Sequence, residues 1–472
     1  MGIRRSKGVH TMTLDQMARA CGGQLCNANG MEEAAIGSLY MDSRKISEGD
    51  VFVAAKGERV DGHSFIEKVY ELGALCVICE HMDVSAKGPY ILVSSSIQAL
   101  KDISAAYRDM FDIPVVGITG SVGKTTTKEF VAAVLEKKYN ILKTAGNQNN
   151  TLGLPMMVMQ LRPSHKAAVL EMGISDFGEM HELSRDAKPD ICVITNIGQC
   201  HLEFLHSRDG ILKAKSEIFD YMSPDGTIIL NGDDDKLSTI SQVKGIRPVF
   251  YGLGAGQNNV KNNGKPPLSY YVSDIVSKGL FGSECIIHTP VGDFQATIPL
   301  PGIHMVYNAL AATAVGISLG LGLEQIAEGL SEVHNVGGRG NIIRTQKYTL
   351  IDDCYNASPA SMKGSLELLS MADTRRVAIL GDMFELGEQQ ESLHAEVGRC
   401  VKGNADLLIC AGELSRNLYE AAKEDGVESY WFEDVESLIA NLKEKNILQN
   451  GDTVLVKASH GMNYSKVVDL LK

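Results

Sequence analysis

The chain has 472 residues, 44% hydrophobic and 22% charged, with a net charge of 45 − 58 = −13. That length exceeds one ordinary domain, and the acidic balance argues against a broad nucleic-acid or anionic-membrane surface while leaving room for a small anionic ligand held by a few local donors. Ten scattered cysteines point to reduced thiols in a cytosolic protein rather than a disulfide framework or a zinc site.

The N-terminal stretch MGIRRSKGVHTMTLDQMA is basic but lacks the apolar run of a signal peptide. No window approaches the roughly 18 apolar residues of a membrane span, so the expected location is cytoplasmic. Downstream, apolar β-branched runs alternate with helical periodicity. Expected buried strands are PVVGIT (114–119), KAAVLEM (166–172), ICVITNI (191–197), GTIILNG (226–232), YTLIDD (348–353), RVAILGD (376–382), LLICAG (407–412) and TVLVKAS (453–459). Such βα alternation argues for largely parallel sheets covered by helices. The Gly/Asn/Pro-rich segment 254–269 reads as an exposed loop before a hairpin. Seams are expected near Met110–Ile113 and near Val333–Gly340, where HNVGGRG interrupts the pattern.

GITGSVGKTTTKEF (117–130) follows the first of these strands and opens a helix. A glycine turn at a helix start offers backbone N–H groups and the positive end of the dipole to an oxyanion. Gly120 and Gly123 allow close approach of phosphates, Lys124 can reach the β- and γ-phosphates, and Thr125 can ligate Mg²⁺. Ile118 stands where the common form of this loop has a glycine; the strand–GxxGKTT–helix context still points to a nucleotide triphosphate.

The strand ending at Glu171 delivers one carboxylate, which suits a metal bridging phosphates or a solvated strand end. The next strand leads into GQCHLEFL with His201, either a ligand or a structural histidine. Lys213 and Lys215 in KAKSEIF read most simply as surface lysines.

TGSVGKTTT, AGNQNNTLGLP, LEMGIS, TNIGQCHLEFL, KAKSEIF, PGIHMVYNALAA, GGRGNII and IDDCYNASPASM occur in that order. Together they resemble the bacterial Mur ligases, ATP-dependent enzymes that build the peptidoglycan stem peptide. Within that family, SRKISEGDVFVAAKGERVDGHSFI (43–66) and ILGDMFELGEQQESLHAEVG (379–398) resemble the branch that adds D-alanyl-D-alanine to a UDP-N-acetylmuramoyl-tripeptide. The resemblance implies an α/β protein of three domains: a small N-terminal α/β domain binding UDP (12–110), a central P-loop domain with a mostly parallel sheet and helices on both faces (111–335), and a C-terminal Rossmann-like domain binding the incoming dipeptide (336–472).

By the same resemblance, Gly120, Ser121, Val122, Gly123, Lys124, Thr125 and Thr126 hold the ATP phosphates. Asn308 faces adenine, and Arg339 and Asp353 complete the nucleotide site. Thr125, Glu171, His201 and Lys215 surround one or two Mg²⁺ ions, with Lys215 as a carbamate. Catalysis is assigned to Lys124, Lys215 and His201, and substrate binding to Ser43, Arg44 and Asn150. Four departures stand out: Met305 replaces a usual Asn, Cys200 a usual Ala, His206 a usual Gly, and Ala458-Ser459-His460 a usual GSR.

The implied reaction is amide-bond formation through an acyl phosphate. The implied partners are UDP-N-acetylmuramoyl-tripeptide and D-Ala-D-Ala, with no nucleic acid, and the expected state is a monomer. His201 and Asp353 are open as candidates for the base that deprotonates the incoming amine, and the GGRG seam is the expected hinge. Rival readings are a relative adding a single amino acid such as diaminopimelate or lysine, a folylpolyglutamate-synthetase relative, and a nucleotide-dependent switch or scaffold.

Overall fold

The computed structural model describes residues 12–57, 60–82, 88–254, 266–334, 340–445 and 447–472. Four sheets follow one another along the chain. The first contains β1 (Gln24–Cys26), β2 (Leu39–Tyr40), β3 (Val51–Val53), β4 (Cys76–Cys79) and β5 (Tyr90–Leu92), in the order β1-β5-β4-β3-β2. Only β1 runs antiparallel to its neighbour. Cys76 and Cys79 form a C-x-x-C spacing in β4. Cys76 packs with the cluster on one face and Cys79 with the cluster on the other, as three residues of strand require. Burial raises both thiols above their ordinary range, and all ten cysteines are free.

The helix Ser96–Arg108 leaves this sheet and binds the next unit. Ser95 caps it by accepting from Gln98 N, and Leu100, Ile103 and Tyr107 form its buried stripe at three- and four-residue spacing. Tyr107 donates its hydroxyl to Leu161 O (2.8 Å), Arg108 Nε donates to Ala187 O (3.0 Å), and Lys101 pairs with Glu182 (2.5 Å). One apolar cluster runs unbroken from Met12 and Leu14 through Ile103 and Phe111 to Leu154, Met180 and Leu183.

The second sheet is all parallel, in the order β11-β10-β9-β6-β8-β7. Its strands are β6 (Val115–Thr119), β7 (Ile141–Lys143), β8 (Ala167–Glu171), β9 (Ile191–Ile194), β10 (Thr227–Asn231) and β11 (Val249–Tyr251). Strands β6 and β8 are buried along their whole length, which is why they read as continuous apolar runs. From β6 the chain goes out to the edge strand β7, steps back to β8, then crosses to β9 and runs outward through β10 and β11, so the carboxyl ends of β6, β8 and β9 border a crevice where the direction of winding changes. An antiparallel sheet of β12 (Tyr271–Ser277), β13 (Ser283–Thr289) and β14 (Gly292–Ile298) supplies the expected hairpin. Residues 255–265 of the loop before it lie outside the described residues.

The last sheet has the order β15-β16-β20-β17-β18-β19, parallel except for β15. Its strands are β15 (Asn341–Arg344), β16 (Thr349–Asp352), β17 (Arg376–Gly381), β18 (Leu407–Ala411), β19 (Glu428–Phe432) and β20 (Thr453–Lys457). Apolar clusters cover both faces, as in a doubly wound fold. The expected α/β architecture of three units is therefore observed, and each of the eight expected strands is present. ICVITNI ends as a strand at Ile194, and its last residues turn out into the site.

Candidate nucleotide and ligation site

Gly120 to Lys124 form the turn from β6 into the helix Lys124–Glu136. Gly120 has φ +151, and a Cβ there would lie 1.9 Å from Thr195 Oγ1. Gly123 is left-handed at φ +85, and no side chain caps the helix it starts. An uncapped helix start leaves donors for an oxyanion. Lys124 Nζ folds back to donate to Gly120 O at 2.8 Å. Ile118 is buried inside β6, so an extended residue stands where longer phosphate loops already turn.

The loop is clamped from β9. Asn196 accepts from Val122 N through Oδ1 (3.0 Å) and donates to Val122 O through Nδ2 (2.9 Å). Thr195 Oγ1 donates to Val122 O at 2.7 Å. Ser121 Oγ donates to Gly198 O and accepts from Gly198 N. Neither Thr195 nor Asn196 was singled out in the sequence, although both lie in the quoted TNIGQC run.

Glu171 ends β8 and is 1% exposed. Its Oε2 accepts from Thr125 Oγ1 and its Oε1 from Asn149 Nδ2, each at 2.7 Å. Both donors are neutral, so in these contacts dipoles alone face the charge. Paired hard oxygens from Thr125 and Glu171 suit Mg²⁺, which takes one or two protein ligands and completes its shell with water and phosphate. Among the described residues no three His, Cys, Asp or Glu side chains converge into an all-protein metal cage.

His201 sits at φ +49 beside the loop and is half-buried. Burial lowers its pKa, and the nearby Lys215 and Lys124 charges lower it further. Lys215 is no surface lysine: it is 1% exposed. Burial, then the Lys124 charge, lowers its pKa to about 7. Cys200, the departure beside His201, donates its thiol to Ser121 Oγ at 3.2 Å. His206 adopts φ +63, the left-handed region that explains why a glycine is usual there.

The other expected residues are distributed as follows. Asn308 is buried in the helix Ile303–Ser318, accepts from Thr127 Oγ1 at 2.9 Å and approaches Met305 Sδ through Nδ2 at 3.6 Å. It therefore borders the phosphate-loop helix, with Met305 as its neighbour. Asn150 uses its side chain to accept from Leu152 N and Gly153 N at the start of the helix Gly153–Val158; its neighbour Asn149 is the one that reaches Glu171. Thr126 lies in the first turn after the loop. Ser43 and Arg44 lie on a short turn after β2. There Arg44 pairs bidentately with Asp42, and that contact holds the Asp42 carboxyl down at about 2. Asp353 follows β16 and pairs with the buried Lys457 at 2.6 Å, while Ser365 Oγ donates to the same oxygen. Arg339 and most of the hinge segment lie outside the described residues; Gly340, at its end, has φ +65.

The geometry thus joins a phosphate loop, a buried carboxylate and a basic pocket at three adjacent strand ends. Three family descriptions match the chain in order: "Mur ligase family, catalytic domain" over residues 35–115, "Mur ligase middle domain" over 118–316, and "Mur ligase, glutamate ligase domain" over 338–460. The UDP-N-acetylmuramoyl-tripeptide--D-alanyl-D-alanine ligase of Bacillus subtilis (strain 168) is 36% identical over 476 residues, covering 98% of each chain.

The chain belongs to the Mur ligase family.

Among solved Mur ligases, a crystal structure of MurF from Acinetobacter baumannii superposes with a TM-score of 0.87 at 30% identity, covering 98% of this chain and 100% of that one. The MurF ligase of Thermotoga maritima, solved in complex with ADP, superposes with a TM-score of 0.78 at 28% identity, covering 92% of this chain and 96% of that one. Among the described residues, no helix is long and apolar enough to cross a membrane.

Proposed function

We infer that the chain is an ATP-dependent ligase that joins D-Ala-D-Ala to UDP-N-acetylmuramoyl-tripeptide in peptidoglycan precursor synthesis. The observation that carries this reading is the convergence of the phosphate loop, Glu171 and His201 at the carboxyl ends of β6, β8 and β9, in a chain matched over 98% of its length by a ligase of that name.

The chemistry follows from the charges. A carboxylate is a poor electrophile at neutral pH. Transfer of the γ-phosphate to the tripeptide carboxylate creates a leaving group, and attack by the dipeptide amine then forms the amide and releases phosphate. Two anions must meet in the first step. The Lys124 ammonium and the uncapped helix start offset that repulsion and hold the phosphates in line. Thr125 and Glu171 would hold magnesium, with His201 as a further ligand; when bound, the ion neutralises phosphate charge. Thr195 and Asn196 fix the loop so that its donors need no reorganisation.

Lys215 is assigned to a carbamate: its neutral Nζ adds CO₂, loses one proton and becomes an anionic oxygen donor beside the metal. Support comes from its burial and its lowered pKa of about 7, which leave a neutral amine available. The N-terminal unit (12–110) is assigned to UDP through Ser43 and Arg44, the central unit (111–335) to ATP, and the C-terminal unit (336–472) to the dipeptide. The site of action is assigned to the cytoplasm, in line with free thiols throughout.

The deciding assay measures ADP release with UDP-tripeptide and either D-Ala-D-Ala or single amino acids as acceptor. Turnover preferring a single amino acid would overturn the substrate assignment. Mass spectrometry of the intact protein with and without bicarbonate tests the carbamate at Lys215.

A further inference from the structure

Beyond the carboxyl end of β17, residues 382–387 (DMFELG) form a loop whose first half is pinned at four points. Asp382 Oδ1 accepts from Ser415 N at 2.7 Å, and Asp382 O accepts from Ser459 N at 3.0 Å. Met383 N donates to His394 Nε2, and Phe384 N donates to Ser459 Oγ, both at 2.9 Å. Asp382, Met383, His394, Ser415 and Ser459 are all buried. The loop tip is the opposite. Phe384 is 43% exposed, and the Glu385 side chain is 73% exposed. Glu385 also holds φ +62 without being glycine, a conformation that costs energy and recurs at functional sites.

The tip points at the other unit. Glu385 Oε2 lies 3.7 Å from His201 Nδ1, and His201 is itself left-handed, at φ +49. Thus a rigid base in the C-terminal unit holds one solvent-facing carboxylate against the crevice of the central unit. Around that point the crevice carries the Lys124 ammonium, whose charge acts on His201. Glu171, at the end of β8, is buried and already bonded to Thr125 and Asn149.

The second substrate reaches this crevice as an ammonium ion. Near the Lys124 ammonium a second ammonium is repelled unless an anion receives it. We propose that Glu385 binds the ammonium group of the incoming dipeptide and sets it beside the acyl carbon, with the Phe384 ring against the alanyl methyl. This assignment rests on the ligase reading above. Glu385 is a substrate-binding residue in this account; the preorganised 382–384 segment, through His394 and Ser459, positions it.

Glu385→Gln removes the charge and keeps the shape; Glu385→Asn removes it with a residue that tolerates positive φ. Steady-state kinetics with all three substrates should give a KM for D-Ala-D-Ala raised about tenfold or more, the scale of one charge-assisted contact. The KM values for ATP and UDP-tripeptide should stay within about twofold, because those contacts are untouched. Exchange of labelled ADP into ATP, dependent on UDP-tripeptide alone, should persist, since it reports the first half-reaction. An unchanged dipeptide KM in both variants overturns the assignment. So does an equal rise for all three substrates, which would make the Glu385–His201 contact a latch between units, and so does loss of the exchange. If the wild-type chain ligates no dipeptide at all, the ligase reading itself fails and takes this assignment with it.

Discussion

Thr125 Oγ1 donates to Glu171 Oε2 across 2.7 Å, tying the first turn of the phosphate-loop helix to the last residue of β8. The two groups that suit a hard cation are therefore already side by side. Glu171→Gln keeps both hydrogen-bonding partners of the side chain but removes the charge. Ligation should fall about 1000-fold, while thermal unfolding without nucleotide stays at or above the wild-type temperature, since a buried charge is removed. Mg²⁺-dependent ADP release together with a melting curve checks both halves; full activity in the variant would remove Glu171 from the metal site.

Lys124 Nζ donates to Gly120 O and, more weakly, to Ser121 O, both within its own loop. Lys124→Ala should abolish turnover and shift the unfolding free energy by less than about 1 kcal/mol. Retained ligation would refute its place on the γ-phosphate.

Gly120→Ala should do the reverse and damage structure first. The added Cβ would sit 1.9 Å from Thr195 Oγ1 at a φ of +151, so the loop must shift and the Thr195 bond to Val122 O breaks. A loss of about 2–3 kcal/mol in urea unfolding is expected, with ATP affinity lost as well. A variant that unfolds and binds ATP as the wild type does would contradict the clamp.

Asp186 provides a pH test away from chemistry. It is fully buried, Oδ1 meets Arg185, and Oδ2 has no partner. Burial raises its pKa from 3.8 to about 6. The folded state thus disfavours the carboxylate: the cost is absent below pH 3.8, grows between the two values and is complete above about pH 6. Asp186→Asn should therefore stabilise the fold by up to about 3 kcal/mol at pH 8, with the gain fading toward pH 4. Denaturant melts at both pH values measure it; a gain larger in acid would reverse the sign and refute the argument.

Much of the fold was legible because parallel strands buried on both faces print as unbroken apolar runs; β6, β8, β17 and β20 are of this kind. The N-terminal sheet was not, because β2 has only two residues and β1, β3 and β5 three each, too short for periodicity to register. In the site, Lys124, Thr125 and Glu171 could be read from a strand end and a glycine turn. Asn149, Thr195, Asn196 and Lys457 could not. Their roles depend on which backbone atom or carboxylate lies across a gap, and spacing along the chain does not encode that. Lys215 shows the same limit: a lysine in KAKSEIF looks solvated until the packing around it is known.

The helix Ser96–Arg108 is fused by a common apolar cluster to residues of the central unit. From residues 340–472 the apolar clusters take in only one outside residue among those described, Leu280. The first joint is thus a shared apolar core, whereas among the described residues the second shares almost none. If the N-terminal unit holds the UDP end of the donor, as proposed above, and the other end is presented at the phosphates, the span between them is a fixed gauge. We expect it to measure stem length, so that a UDP-linked dipeptide stops short of the γ-phosphate and supports no ADP–ATP exchange, whereas the tripeptide does.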